Sequence, residues 1–316
     1  MRYWRTQLAD LCLLIVVPAI AALLPWRLGW RWLRYWAGIS RGSFSVAVNS
    51  GKSIAREWLP IGDDALFDAR MRLLWLTDCS DLYVSMLRPW RAGQPRHIEQ
   101  KGQWPTGSGF IAMGFHYGAG YPVLRSLAAA NFEYTFVSGR WRREDDPGHP
   151  VRYWYGRLRT RDVARVGRRP IAYRPGIKPQ LDQTLREGAV VVGLIDLPPR
   201  LAPRQRHPVS LLGHELSLPG GLIELAREAG VPIVPYWVEF DDPMYRRRIC
   251  IGDPIPSDDI GAAVIRLSDI LDRCIRSAPY AWMLWPELPG WIAADNGDKA
   301  DDVRDEREAT DTLPPA

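Results

Sequence analysis

Over the first hundred residues, apolar positions recur every three or four places. After Gly109 they gather into short runs separated by helical stretches. Phe67, Met71, Trp75, Cys79, Leu82 and Met86 keep the spacing of one helical face, which predicts a helix over residues 63–87. Asp63 and Asp64 suit its first turn and Pro89 its end. A shorter helix is expected over 55–59. Residues 110–115, 132–137, 189–195, 231–240 and 248–251 read as strands, and 122–130, 179–186, 222–229 and 262–276 as helices. The run 189–195 is apolar throughout and rich in Val, as in a strand buried on both faces. This alternation predicts an α/β fold, a mainly parallel sheet flanked by helices, preceded by a helical N-terminal region.

The N-terminus has a different pattern. No charge occurs from Leu11 through Trp26, and residues 11–24 are apolar with Pro18 in their midst. Sixteen helical residues reach about 24 Å, short of a hydrocarbon core of about 30 Å. A cleaved signal peptide, with Ala19-Ile20-Ala21 as its small-residue site, a buried core helix and a membrane anchor all fit this run. The next stretch, Trp26-Arg27-Leu28-Gly29-Trp30-Arg31-Trp32-Leu33-Arg34-Tyr35-Trp36, interleaves aromatics with Arg, as headgroup-level segments do. It favours an anchor or interfacial helix over residues 1–40, with the body on the cytoplasmic side of the membrane. The α/β domain is then 41–294, and 295–316 is an acidic, aperiodic tail expected to be disordered.

Charge sharpens this division. The chain of 316 residues carries a formal +5, and with −5 in residues 295–316 the body carries +10. A basic body with 15 Trp has two natural partners, nucleic acid or an anionic membrane. Its Arg and Trp cluster beside a hydrophobic segment, which suits lipid better than nucleic acid. Four scattered cysteines, Cys12, Cys79, Cys250 and Cys274, suit a reducing compartment and make no metal motif. His207 and His214 have no third ligand in view, so no metal is expected. Neither a dinucleotide fingerprint nor a G-x-S-x-G elbow occurs.

One histidine stands out by position. His116 directly follows the predicted strand 110–115 and opens the turn Tyr117-Gly118-Ala119-Gly120. Ligands of open α/β sheets sit beyond the carboxyl ends of strands, where an imidazole can serve as a general base. A turn His capping a helix fits the same spacing.

The block His116-Tyr117-Gly118-Ala119-Gly120-Tyr121 resembles the signature of the lysophospholipid acyltransferase superfamily, in particular its lipid A biosynthesis branch, often written H-Y-G-N-W-E. Further blocks resemble that branch in the same order. They are residues 188–198 with Asp196 closing a strand, Leu211-Leu212-Gly213, Pro219-Gly220-Gly221, residues 230–235, and residues 277–285 against P-E-Q-W-x-W. The likeness covers roughly residues 5–290. It implies a membrane-associated transferase moving an acyl group from a coenzyme A or acyl carrier protein thioester to a hydroxyl of a lipid or glycolipid at the inner membrane. No separate cofactor is implied.

The chain departs from the pattern where the family has Asp or Glu, since Tyr121 stands there. A neutral phenol stabilises imidazolium poorly, so Asp196, ending a neighbouring strand, is the candidate replacement. Should no acid face His116, a noncatalytic lipid-binding or scaffold relative is the alternative. The resemblance implies substrate contacts at Gly118 and Gly120, where backbone amides or an Arg would hold the oxyanion. It also implies phosphate contacts at Arg157 or Arg159 and Arg200. Arg140 and Arg204 are added because both follow predicted strands. All these Arg are expected at the carboxyl edge of the sheet beside His116.

Overall fold

A computed structural model describes residues 2–40, 45–87, 97–107, 109–140, 142–145, 148–241 and 246–292. The chain enters as one long helix in three parts: α1 (Arg2–Leu11), a π-helical turn (Cys12–Val16) and α2 (Val17–Leu23). Three more helices follow, α3 (Trp26–Ile39), α4 (Ser45–Trp58) and α5 (Asp64–Leu87). Asp63 caps α5, its carboxylate accepting from the amides of Ala65 (2.8 Å) and Leu66 (3.3 Å). Helix α4 is longer than the 55–59 expected, and Pro89 lies outside the described residues.

The α/β part runs β1 (Ile98–Lys101), β2 (Ile111–Gly114), α6 (Tyr121–Ala129), β3 (Tyr134–Ser138), α7 (Pro150–Gly167), β4 (Ala172–Tyr173), α8 (Lys178–Arg186) and β5 (Val190–Leu194). It continues with the hairpin β6 (Arg206–Leu211) and β7 (His214–Pro219), then α9 (Gly221–Ala229), β8 (Ile233–Asp241), β9 (Arg246–Ile251) and α10 (Ile260–Ser277). Seven strands form one sheet in the order β1-β9-β8-β2-β5-β3-β4, all neighbours parallel except β8 and β9. The expected mostly parallel sheet, helices on both sides and a leading apolar helix are all present.

Strand alternation divides the interior in two. In β5, Val191 joins one core with Leu181 of α8 and Leu225 of α9. Its neighbours Val190 and Val192 join the other with Leu124 of α6 and Val163 of α7. Successive side chains point to opposite faces, so both faces of the parallel strands must be covered.

Three sequence readings change. The Arg-rich stretch 140–169 contains α7, whose Arg content had masked a helix with Tyr155, Gly156, Asp162 and Val163 inward. The stretch carrying His207 and His214 is a hairpin, not a loop, and those rings sit near opposite ends of it. The tryptophans of α3 turn inward, while Tyr35 stays exposed: Trp30 is fully buried, and Trp26, Trp32 and Trp36 pack against the core. Trp282, Trp285 and Trp291 are also fully buried, so much of the Trp content builds the interior. Residues 2–40 are thus no detached segment, since Leu13, Val17, Trp30 and Leu33 share a core with the sheet. The tail 295–316 lies outside the described residues.

Candidate active site

Strand β2 pairs in register with β5, Gly114 opposite Leu194, and the Ile195 amide still donates to Gly114 O at 3.1 Å. Two residues beyond that pair on each strand stand His116 and Asp196. Parallel register therefore sets an imidazole and a carboxylate side by side at the carboxyl end of the sheet. The His116 amide donates to both Asp196 oxygens, at 3.0 and 2.8 Å, and its Nδ1 lies 3.0 Å from Oδ1. Trp282 Nε1 donates to Oδ2 at 3.0 Å. Asp196 is fully buried, and these donors account for a carboxylate held out of water.

The turn after β2 is fastened on its other side. Met283 donates its amide to His116 O at 2.8 Å, and the Gly118 amide donates to Ala281 O at 2.9 Å. With Nδ1–H directed at a carboxylate, Nε2 is the basic nitrogen. The His116 side chain keeps 31% of its surface exposed, and it lines a cavity. Burial works against charge on this imidazole. The Asp196 carboxylate outweighs it, through its charge and its hydrogen bonds to the ring and backbone, while Arg174 subtracts. The net shift is upward from the ordinary histidine value.

His116 opens onto a cavity of about 670 Å³ beyond the ends of β2, β3, β4 and β5. Met113, Phe136, Leu181, Leu194, Leu222 and Leu225 make its apolar wall. Arg174, Lys178 and Arg204 supply cations to it. Arg174 Nη1 donates to Leu201 O at 3.0 Å, and Lys178 pairs with Glu228 and Asp182. The volume is that of a site for a small molecule or one end of a larger one.

Of the residues expected here, His116, Asp196 and Arg204 come together. Gly118 adjoins the site for a backbone reason. Its φ is +71°, and a Cβ there would meet Val238 O at 2.3 Å. Its amide is already used by Ala281, so it is no oxyanion donor. Gly120 is the N-cap position of α6 with an ordinary φ of −73°, and a Cβ there would meet open space.

The remaining expected residues lie elsewhere. Tyr121 points into the other core, where its hydroxyl donates to Asp162 Oδ2 at 2.5 Å. Burial first, and then Asp162, keep that phenol well above its ordinary pKa. Arg159 pairs with Asp78 of α5 at 2.8 Å and lies 5.1 Å over the Tyr121 ring. Arg157 donates to Tyr153 on its own helix at 3.1 Å, and Arg140 lies 5.5 Å over the Tyr173 ring. Arg200 pairs with Glu287 at 2.6 Å. None of these five lines the His116 cavity. The Arg of α7 follow the helix away from the edge, which is why proximity along the chain misplaced them.

Arg174, Lys178 and Trp282 were not anticipated as site residues. Arg174 follows β4, a strand of only two residues with no readable pattern. Trp282 lies within residues 277–285, but nothing in that stretch pointed toward Asp196.

No protein-family model matches this chain. No curated protein matches it.

Proposed function

We propose that this protein is a membrane-associated acyltransferase that esterifies a hydroxyl of a lipid or glycolipid with an acyl group from a coenzyme A or acyl carrier protein thioester. The observation that carries this reading is the His116–Asp196 pair, in sheet register at the mouth of an apolar cavity. His116 Nε2 takes the proton of the acceptor hydroxyl as its oxygen attacks the thioester carbonyl. The tetrahedral intermediate collapses to the ester, the C–S bond breaks, and the imidazolium returns its proton to the departing thiolate. Asp196 orients the ring and stabilises its charged form, as the family's own motif acid would. The apolar wall suits an acyl chain, and Arg174 and Arg204 suit a phosphate of the acceptor or of the donor's carrier arm. The carboxylate beside His116 argues against a binding-only relative. Cytoplasmic thioester donors place the reaction on the inner side of the membrane.

His116→Ala should abolish acyl transfer, a fall on the order of 10²–10⁴-fold for loss of a general base, with the fold intact by circular dichroism. Unimpaired turnover would end the assignment. The acceptor class is read by mass spectrometry of the lipids that change when the protein is deleted.

A further inference from the structure

Helix α1–α2 is buried along one face only. Gln7, Asp10, Leu13, Val17, Ala21 and Ala22 point into the body. Body side chains grip that face along its length. Asp10 pairs with His149 (2.8 Å) and Arg152 (3.0 Å) at the start of α7. Pro18 lacks the amide that would reach back to Leu14 O, and the Tyr83 hydroxyl donates there instead at 2.8 Å. Ser80 of α5 donates to Pro18 O at 3.1 Å, and Trp32 of α3 to Val17 O at 3.0 Å. A helix crossing a bilayer would have to leave all these partners and carry Asp10 into hydrocarbon.

The opposite face is apolar and uncovered. Trp4, Leu8, Leu11, Val16, Ile20 and Leu23 are exposed. Their spacing is three or four residues except for one step of five, from Leu11 to Val16, across the π-helical turn. A π turn takes up the extra residue and keeps the stripe on one side. Beside its N-terminal end, α7 presents Trp154, Arg157 and Arg161 outward, again at helical spacing, and Arg168 is exposed just past its end. Trp4 is 74% and Trp154 64% exposed, whereas Trp30, Trp282, Trp285 and Trp291 are fully buried. An apolar stripe flanked by exposed Trp and a row of guanidinium groups is complementary to anionic headgroups over acyl chains.

We propose that this surface is the membrane contact: the protein lies on one leaflet of an anionic bilayer through the exposed stripe of α1–α2 and the arginine row of α7, and does not cross it. The proposal rests on the membrane association stated above and adds its geometry. It also gives Arg157 a partner other than the substrate.

The test is sedimentation of the full chain with vesicles of phosphatidylcholine, alone or mixed with phosphatidylglycerol, together with a peptide tag before Met1 in spheroplasts of a bacterial host. The parent chain should bind the mixed vesicles more tightly. Leu8→Gln with Ile20→Gln should lower binding to both vesicle types by about tenfold or more. Arg157→Gln with Arg161→Gln should lower it by about tenfold on the anionic vesicles alone. These side chains are solvent-exposed, so the fold stands in both variants. The tag should resist protease until the spheroplasts are opened. Three results would each overturn the proposal: no vesicle binding by the parent chain, cleavage of the tag in intact spheroplasts, or a detergent-free dimer that Leu8→Gln dissociates. His116→Ala should bind vesicles like the parent chain, so failure of the acyl-transfer reading leaves this test intact.

Discussion

Two buried aspartates answer the same physical problem with different results. Asp162, on the inner side of α7, accepts from Tyr121 (2.5 Å), Ser85 (2.6 Å) and Arg165 (2.9 Å), and Ser85 in turn accepts from Arg125. Asp196 accepts from the His116 amide, the His116 ring and Trp282. Both carboxylates are satisfied. The difference lies in one partner. Around Asp162 stand a phenol whose pKa burial pushes upward, a serine and guanidinium groups, a set with no general base among it. Asp196 holds an imidazole, whose pKa it raises from the ordinary histidine value and whose Nε2 is left on the side of a cavity. A buried acid becomes chemically useful when its partner can exchange a proton with something that enters.

The contrast can be broken at either end. The largest expected effect is on turnover. Asp196→Asn should lower it by about 10²–10⁴-fold, because an amide neither fixes the tautomer nor stabilises imidazolium. The pH profile of kcat/KM gives its signature. The base must be neutral, and Asp196 raises the His116 pKa. The acid limb of the parent protein should therefore lie above the ordinary histidine value of about 6.5, and activity should fall as pH drops through it. Asp196→Asn should move that limb down. An unmoved limb would separate the carboxylate from the proton transfer.

At the other aspartate the readout is stability. Asp162→Ala should cost about 1–3 kcal/mol for each of the two buried hydroxyls, Tyr121 and Ser85, left without its acceptor, measured by denaturant unfolding, while the folded fraction keeps its specific activity. Arg174→Ala should raise KM by about tenfold, the equivalent of about 1.4 kcal/mol of lost contact to a phosphate, with kcat little changed. The smallest effect is expected for Tyr121→Phe, about 1–2 kcal/mol of stability from one buried hydrogen bond, with unchanged turnover. A large loss of activity in that variant would return Tyr121 to the site.

Much of the α/β frame was legible along the chain. Strands β2, β3, β5 and β8 are apolar runs ended by turn residues, and α5 and α10 show unbroken helical spacing, because period and burial are local properties. The mostly parallel sheet followed from alternation. Strand β4 and the hairpin were not legible, since two residues carry no period and β6 opens on the consecutive Arg206, His207 and Pro208, which leaves only Val209 and Leu211 to alternate. Helix α7 was hidden because its outward face is so rich in Arg that the inward face does not dominate the pattern.

By itself the sequence determined that a histidine would stand at the carboxyl end of a buried parallel strand with glycines after it, and that a second strand would end in Asp196. Local pattern sets which residues form a strand and where it stops. The tertiary structure alone decided that those two strands are neighbours, that Gly114 and Leu194 are opposite one another, and that the acid therefore meets the imidazole across 80 positions of chain. It also decided that Tyr121 and Arg159 turn away from the site and that the α3 tryptophans pack inward. Strand pairing and helix docking are settled by burial of whole faces against each other. No stretch of a dozen residues contains that information.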